Sequence, residues 1–334
     1  MDSKWIRYKF RNEFITKQLL AKEIFFKKGF SIENIKKYAG REIASIEKTN
    51  EIIAALVNDG KPFMVGRFGA TEMNAIISYL QVMHFPYRDE RKNNVTKLCK
   101  NSGFFPDNLE MGQKFTDLML ESCQYIDLCG IWNLYMEDYV LNKFAPKAQL
   151  TLLDSLEPWN MGIDEHIKPW TSALKEKKVL VIHPFAETIS HQYNNYRTKI
   201  FERKFEAEDI LPEFELITLK AVQTINYNAE SIKYRDWFEA LDFMIKQCEK
   251  IDFDIAIIGC GAYGFPLAAA IKKMGKGAIH LGGATQILFG ILGKRWETGG
   301  YKVMLDQMQN EYWTRPLPSE KPKNAEEIEN GCYW

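Results

Sequence analysis

A glycine-rich turn follows a short apolar strand in the last third of the chain. The stretch reads Asp254-Ile-Ala-Ile-Ile-Gly-Cys-Gly-Ala-Tyr-Gly264, and an apolar helical pattern begins at Phe265. Glycine lets a backbone turn tightly and approach a ligand, and the free N–H groups at a helix N-terminus attract anions. The order strand, GxGxxG, helix therefore predicts a phosphate-binding turn. Its candidate residues are Gly259, Gly261, Ala262, Tyr263 and Gly264. A turn that only packs the helix onto the strand is the structural alternative.

A dinucleotide is the usual ligand of this motif, but the strand that follows does not suit NAD. An NAD site needs an acidic residue at the end of that strand to bind the ribose hydroxyls. The strand here offers His280 and then Gly282 and Gly283. The sequence therefore favours a nucleotide diphosphate, and an NAD-dependent enzyme stays as an alternative.

The pair Gly282-Gly283 forms a second turn of the same kind, followed by Ala284-Thr285-Gln286 at the start of a predicted helix. If the two strands are parallel neighbours, both turns lie at the same edge of the sheet, where open α/β sheets bind ligands. We expect Gln286 to contact the substrate there.

An arginine follows an earlier strand, in the segment Met64-Val-Gly-Arg-Phe-Gly-Ala-Thr-Glu-Met73. A guanidinium binds phosphate oxygens through a fork of N–H groups, so Arg67 is the candidate diphosphate ligand, with Phe68 and Gly69 beside it. Glu72 falls in the first turn of the next helix. It is either a catalytic carboxylate or an acid that complements the helix dipole.

Several polar residues follow a third strand, in the segment from His183 to His191. His183 and Glu187 are candidate bases. Thr188, Ser190 and His191 are candidates for binding substrate hydroxyls, and helix capping is the alternative for the first two. Trp132 and Asn133 follow a fourth strand and are expected to line the same mouth, although Trp132 also suits the core.

Short apolar strands alternate with amphipathic helices from residue 62 onward. The predicted strands are Pro62–Val65, Ile126–Ile131, Leu150–Leu153, Val179–Ile182, Leu216–Leu219, Ile255–Ile258 and Ala278–Leu281. The predicted helices are 71–82, 108–122, 187–202, 234–250, 262–274 and 284–293, preceded by helices at 3–29 and 40–58. This alternation predicts an α/β fold with a mostly parallel sheet covered on both faces. The sequence Asp252-Phe-Asp254 looks like the DxD metal motif of sugar transferases. It stands at the opposite sheet edge from the glycine turns, and we interpret it as solvated charge.

The N-terminal helix carries more basic than acidic residues. Such a helix can lie on an anionic membrane surface, or it can dock on the main domain with its basic face in solvent. The formal net charge is zero, which argues against nucleic acid as a partner. Six scattered cysteines, no apolar run long enough for a membrane span and no signal-peptide pattern predict a soluble cytoplasmic protein, able to associate peripherally with the inner face of the membrane.

The early Arg-Phe-Gly-x-x-Glu segment, combined with the late strand, glycine turn, helix and strand, resembles the GT-D fold of bacterial glycosyltransferases. Arg67, Phe68, Gly69 and Glu72 match the family's Arg-Phe-Gly-Asp-Gly-Glu, whereas Ala70 and Thr71 replace its Asp and Gly. The resemblance runs from about residue 60 to 295. It implies a single Rossmann-like domain that transfers sugar from a nucleotide-sugar, usually UDP-linked, to a glycan or lipid-linked acceptor in surface polysaccharide synthesis.

The family's acidic pair is tied to a divalent cation, manganese or magnesium, so the loss of one member leaves Glu72 as the only candidate metal ligand. The corresponding division of the chain is an N-terminal helical extension (1–58), a catalytic domain (59–315) and a C-terminal tail (316–334). The tail ends in Cys332, Tyr333 and Trp334, which predicts that it docks back onto the domain. A nucleotide-binding module without catalytic activity is the remaining alternative.

Overall fold

The structure is a computed structural model, and it describes residues 2–26, 36–160, 167–206, 208–225, 233–322, 325 and 331–334. Its strands are β1 (Lys37–Tyr38), β2 (Arg41–Ala44), β3 (Phe63–Arg67), β4 (Leu128–Ile131), β5 (Gln149–Leu152), β6 (Lys178–His183), β7 (Glu215–Lys220), β8 (Ile255–Ile258) and β9 (Gly277–His280). Its α-helices are α1 (Ser3–Phe26), α2 (Ile46–Asp59), α3 (Ala70–His84), α4 (Arg91–Ser102), α5 (Leu109–Ser122), α6 (Glu137–Phe144), α7 (Ala186–Tyr196), α8 (Trp237–Cys248), α9 (Gly264–Lys273), α10 (Ala284–Leu288) and α11 (Gly299–Met308).

The strands of the described chain form one sheet in the order β1-β2-β5-β4-β3-β9-β8-β6-β7. All neighbours are parallel except β1 and β2, which pair antiparallel at one edge. The described chain is therefore a single Rossmann-like α/β domain, as the resemblance implies, and its mostly parallel sheet is the one that the alternation of strands and helices predicts. β3 and β9 are far apart in the sequence but pair at the centre of the sheet.

Alternate residues of each central strand enter two separate apolar cores, one on each face of the sheet. On β3, Met64 belongs to the core that includes residues of α3, α5, α8 and α9, whereas Phe63 and Val65 belong to the core on the other face, which includes residues of α2, α7 and α11. Because both faces are covered, the strands are apolar throughout rather than alternating, as expected for a parallel sheet.

All seven predicted strands are present, with ends shifted by up to two residues. The helix predicted for 40–58 is wrong at its start, because residues 41–44 form β2 and pair with β5. The guanidinium of Arg41 donates to the carbonyl oxygens of Ala145 and Ala148 at 2.7 and 2.6 Å, which fixes this edge. The helix begins after Ser45, whose hydroxyl accepts from the N–H of Lys48, and the sheet therefore extends into the segment predicted as a helical extension.

The N-terminal helix is docked on the domain through one face. Trp5 is fully buried and stacks on His84, and Asn12 donates to the carboxylate of Asp138 at 3.0 Å. Phe10 and Phe14 lie on the opposite face with 69% and 62% of their surface exposed. Residues 27–29 of the predicted helix lie outside the described part of the chain. In the part that is described, no helix combines the length and apolar character that crossing a bilayer requires.

The C-terminal tail returns to the sheet, as its aromatic end predicts. The Glu320 carboxylate accepts from the N–H of Glu187 at 2.8 Å and also binds the Thr188 hydroxyl at the start of α7. Trp334 is buried against Phe185, and the backbone N–H of Arg295 donates to the carbonyl of Cys332.

Candidate functional site

A solvent-open pocket, with an empty volume of about 1030 Å³, lies at the carboxyl edge of the sheet. Its walls come from the residues that follow β3, β4, β6, β7, β8 and β9, together with the end of α4 and the C-terminal tail. Parallel strands expose their carboxyl ends at one edge, and ligands of open α/β sheets bind there. We call it the main pocket.

The two glycine turns meet in the main pocket, as predicted from their equivalent positions after two strands. β8 and β9 are parallel neighbours, and a Cβ atom at Gly259 would lie 2.6 Å from the carbonyl oxygen of Gly282. Gly259, Cys260, Gly261 and Tyr263 line the pocket from the first turn, and Gly282 and Gly283 line it from the second. Backbone thus forms the floor, which leaves room for a ligand to approach it closely.

Two glycines of the first turn are also required by the packing of the protein itself. Gly261 has φ +57°, and a Cβ there would lie 3.1 Å from the carbonyl oxygen of Ser102. A Cβ at Gly264 would lie 2.1 Å from the ring of His280, which is buried beneath the turn. Gly264 and Ala262 do not line the pocket, so the packing alternative describes these two positions.

Arg67 is the last residue of β3, and it lines the main pocket. Its Nη1 donates to the carbonyl oxygen of Phe68 at 3.3 Å, and its Nε is buried without a hydrogen-bond partner. An unsatisfied buried guanidinium N–H is costly, and an anionic ligand would satisfy it. Phe68 is buried and stacks on Phe265 with ring centroids 4.6 Å apart, so it supports Arg67 from the core and does not line the pocket.

Glu72 lies in the first turn of α3 and lines the main pocket. Its carboxylate folds over Gly69, since a Cβ at that position would lie 1.8 Å from Oε2. Gly69 precedes the helix and offers no side-chain cap. Glu72 therefore lies close to the positive end of the helix, as the dipole alternative expects, and it also faces the pocket where a catalytic carboxylate would act.

His183 ends β6, is buried, and lines the main pocket. Burial lowers the pKa of this imidazole to about 3. Its Nδ1 lies 3.0 Å from the backbone N–H of Phe185 and accepts from it, so the neutral ring carries its proton on Nε2. His183 is therefore suited to donate a hydrogen bond to a ligand, and Nδ1 is not free to act as a base.

The other candidates from this segment are not brought into the pocket. Glu187 and His191 are exposed on α7, and Ser190 accepts from the side chain of Asn194 at 3.3 Å. Thr188 is buried, where its hydroxyl donates to Glu320 and accepts from the N–H of Leu317. The N-terminus of α7 therefore binds the C-terminal tail. The capping alternative does not describe Thr188, because Phe185 is at the N-cap position of α7 and no side chain caps the helix there.

Trp132 lines the pocket, and its indole N–H donates to the carbonyl oxygen of Phe68 at 3.0 Å. Asn133 does not line the pocket and has φ +58°, which turns the chain away after β4. Gln286 is fully buried at the pocket wall. Its amide donates to the carbonyl oxygen of Ile291 at 3.2 Å, and its Oε1 has no hydrogen-bond partner. Trp132 and Gln286 thus remain candidate ligand contacts.

Two solved structures resemble this chain. One is the highly conserved domain of unknown function 1792, described as having a distinct glycosyltransferase fold; it is 12% identical, with a TM-score of 0.39 over 73% of this chain and 79% of that chain. The other is the selenomethionine-substituted structure of domain of unknown function 1792, 12% identical, with a TM-score of 0.40 over 74% and 79%. No protein-family model and no curated protein matches the sequence.

Three further walls of the main pocket come from segments without a recognisable sequence signal. They are Asn101, Ser102 and Gly103 at the end of α4, Gln223, Thr224 and Ile225 after β7, and Arg295 together with Tyr333 of the C-terminal tail. The hydroxyl of Thr224 donates to the carbonyl oxygen of Gly103 and lies 2.6 Å from the Tyr263 hydroxyl, which joins the first two walls to the glycine turn. The Arg295 guanidinium donates to the Tyr333 hydroxyl at 2.9 Å. Only the aromatic ending of the tail hinted at any of these contacts.

The donor set of the main pocket does not resemble a metal cage. Among the described residues, Glu72 is the only carboxylate that lines it, and no group of three or more His, Cys, Asp or Glu side chains is placed to hold an ion. A divalent cation usually binds several oxygen ligands, so the residues present do not fit a dedicated site. Asp252 pairs with Lys178 at the other end of the sheet, and Asp254 accepts from the N–H of Lys178 at 2.8 Å. Both are strand-edge charges, as interpreted from the sequence.

Proposed function

We propose that this protein is a glycosyltransferase that binds the diphosphate of a UDP-sugar between Arg67 and the two glycine turns. The observation that carries the proposal is the position of Arg67, whose buried Nε lacks a partner beside a backbone floor at the carboxyl edge of the sheet. A guanidinium supplies paired N–H groups for phosphate, and the turns supply backbone N–H groups. The resemblance of the Arg67–Glu72 segment to GT-D enzymes supports sugar transfer over other uses of a nucleotide.

In this proposal the anomeric carbon loses its bond to the diphosphate oxygen and gains one to an acceptor hydroxyl, whose proton passes to a base. Arg67 and the turn N–H groups stabilise the negative charge on the departing UDP, which is the electrostatic part of catalysis. Glu72 is the candidate base because it is the carboxylate that faces the pocket. The imidazole of His183 donates from Nε2 to a ligand oxygen and holds it in place.

The experiment is a thermal-shift panel of UDP, GDP, CMP and NAD, each with and without its sugar conjugates where these exist. A ligand at a hundredfold excess over its Kd adds about 2.7 kcal/mol to the free energy of unfolding, which raises the melting temperature measurably. We expect UDP and UDP-sugars to stabilise the protein and NAD to have no effect. Stabilisation by NAD alone would replace this proposal with a dinucleotide-dependent enzyme.

Turnover distinguishes an enzyme from a nucleotide-binding module. Glycosyltransferases commonly hydrolyse their donor slowly without an acceptor, so release of UDP from a UDP-sugar is the second readout. Release that is lost in Glu72→Gln, with UDP affinity retained, supports catalysis by this carboxylate. Binding without release, across glycan and lipid-linked acceptors, would favour the non-catalytic module.

A further inference from the structure

A second, smaller pocket adjoins the main one and has an empty volume of about 550 Å³. We call it the side pocket. It shares four wall residues with the main pocket: Arg67, Trp132, Gly283 and Arg295. The remaining walls are Leu153, Leu156, Glu157, Leu281, Ala284, Trp296 and Tyr301. The two pockets therefore meet at two guanidinium groups and a glycine turn.

The chemistry of the shared wall differs from that of the side pocket. Two guanidinium groups and a backbone turn are groups that bind phosphate. The side pocket is mostly apolar and aromatic, with Trp132, Trp296 and Tyr301 in its walls together with the carboxyl group of Glu157. Apolar walls with a few fixed polar groups are typical of small-ligand sites. Aromatic faces pack against the C–H groups of a pyranose ring, and a carboxylate accepts hydrogen bonds from its hydroxyls.

Glu157 is buried beside groups that respond to its charge. Burial raises the pKa of its carboxyl group to about 8, the nearby Asp154 carboxylate adds to that rise, and the positive charge of Arg67 opposes it. Burial also raises the pKa of the Tyr301 hydroxyl to about 12, with Glu157 contributing. The carboxyl group thus lies within electrostatic reach of both the shared Arg67 and the side-pocket Tyr301. It also lines the side pocket.

The order of these chemistries matches the order of groups in a nucleotide-sugar. The nucleoside, the larger end, fits the larger pocket; the diphosphate fits the shared guanidinium groups; and the sugar ring follows on the other side. We propose that the side pocket is the subsite for the transferred sugar of the donor, with Glu157 accepting a hydrogen bond from a sugar hydroxyl. This inference rests on the proposed function and adds where the sugar binds and which residue selects it.

The test compares the affinities of UDP and UDP-sugars by calorimetry. The probes are UDP, UDP-glucose, UDP-galactose and UDP-N-acetylglucosamine, measured on the full-length protein and on Glu157→Gln. The titrations are run at pH 9, where a carboxyl group with a pKa of about 8 is ionised. A hydrogen bond to a charged group contributes about 1.5 to 3 kcal/mol, so at least one UDP-sugar should bind about tenfold or more tightly than UDP. In Glu157→Gln this gain should largely disappear while the affinity for UDP stays within about twofold, since the diphosphate contacts remain. Glu121→Gln, on an exposed helix position remote from both pockets, is the matched control and should keep the full gain.

A second variant tests the space rather than the carboxylate. Ala284 lines the side pocket and not the main one, so Ala284→Phe should fill the side pocket, retain UDP binding and abolish the gain from the sugar. If UDP binds through Arg67 but no UDP-sugar binds more tightly than UDP, the subsite assignment is wrong and the diphosphate site stands. The same conclusion follows if Glu157→Gln weakens UDP and UDP-sugars equally, or if Ala284→Phe leaves the gain intact. If no nucleotide binds in a manner that depends on Arg67, the proposed function itself is wrong, and the subsite falls with it.

Discussion

Arg67 and Gly282 lie in direct contact, although the sequence separates them by more than half of the chain. A Cβ atom at position 282 would lie 1.9 Å from Nη2 of Arg67, so the guanidinium rests on the bare backbone of the second glycine turn. The contact follows from the pairing of β3 with β9, which places the ends of these two strands side by side. Because glycine at 282 also has φ +64°, both the turn and the arginine depend on the absence of a side chain there.

Replacement of Arg67 by alanine should weaken UDP binding and leave the fold intact. A charge-assisted bond to phosphate contributes about 1.5 to 3 kcal/mol, which corresponds to an affinity loss of about 10- to 150-fold. Arg67→Lys should recover only part of this loss, because lysine lacks the paired N–H groups. The measurement is calorimetric titration with UDP, and Arg88→Ala, an exposed arginine after α3, is the control. Unchanged affinity in a folded Arg67→Ala protein would remove this residue from the site.

The glycines allow a paired experiment that separates ligand contact from folding. Gly283 has an ordinary φ of −61° and lines the pocket, and an added Cβ would approach ring carbons of Trp296 at 3.3 Å and of Tyr333 at 3.5 Å. Gly283→Ala should therefore fold. Its added methyl group should prevent a hydrogen bond between the ligand and the backbone of the second turn, so UDP should bind about tenfold or more weakly. Gly264→Ala should do the reverse: its Cβ would collide with His280, which costs about 1 to 3 kcal/mol of stability. Valine at Gly261 would be uninformative, because its positive φ strains any branched residue.

Calorimetric titration of both variants measures their affinity for UDP, and denaturant unfolding measures their stability. If Gly283→Ala binds UDP like the unmodified protein, the ligand does not approach the second turn. If Gly264→Ala is as stable as the unmodified protein, the added Cβ does not collide with the ring of His280.

Much of the sheet could be predicted from the sequence because its strands are buried on both faces and therefore stand out as apolar runs. The same reasoning explains which elements could not be predicted. β1 is the edge strand and β2 is its neighbour, and both have mixed burial, so Arg41–Ala44 lacks an apolar signal and its neighbours suggested a longer helix. α4 is absent from the predicted helices because it is largely polar, with only Val95, Leu98 and Cys99 supplying an apolar face.

Site residues could be predicted where a residue type suited to ligand binding directly follows a strand. They could not be predicted where contacts between distant segments determine which side chains reach the pocket. Arg67 and the two turns were identified because arginine and glycine after a strand have a specific physical meaning. The polar residues of α7 have the same local appearance, yet Glu320 from the tail binds the start of that helix. Glu157 has no local signal at all, since its place beside Arg67 depends on how the segment after β5 packs.

The need for a divalent cation is testable through the donor set. Glu72 is the only carboxylate lining the main pocket among the described residues, so UDP should bind with similar affinity in the presence of a chelator and of added manganese. One carboxylate together with a diphosphate holds such an ion only loosely. Calorimetric titration under both conditions is the measurement. An affinity that collapses with chelator and returns with manganese would show that other groups complete a metal site.

The buried histidines should make the protein less stable in acid. Burial, with the positive charge of Arg67 adding to it, lowers the pKa of His280 from 6.5 to about 3. Between these values the unfolded chain binds a proton that the folded protein excludes, so stability falls as the pH drops below 6.5. At 1.4 kcal/mol per unit, His280 should account for up to about 2 kcal/mol between pH 6.5 and 5.

The measurement is urea denaturation at several pH values for the unmodified protein and His280→Gln. Glutamine does not titrate, so the variant should lose part of the slope between pH 5 and 6.5, whatever its stability at pH 7. His191→Gln, which changes an exposed histidine, is the control and should keep the slope. An identical slope in His280→Gln would mean that this ring is protonated in the folded protein.

The outer face of α1 leads to a last prediction, on membrane association. Phe10 and Phe14 are one turn apart and exposed, and the exposed side chains of Arg7 and Arg11 lie beside them. Apolar rings between basic residues suit the interface of an anionic bilayer, where each basic residue contributes about 1 kcal/mol and salt screens the attraction. We expect weak binding to phosphatidylserine vesicles that is absent for phosphatidylcholine and fades as salt increases.

Deleting the helix is the wrong test, because loss of the fully buried Trp5 alone should cost about 3 to 5 kcal/mol of stability. The variant to use is Phe10→Ser with Phe14→Ser, which leaves the docked face untouched and should abolish sedimentation with vesicles. Phe243→Ser, at an exposed position of α8, is the matched control and should bind as before. Equal sedimentation of all three proteins would assign the attraction to another surface and leave α1 with a docking role alone.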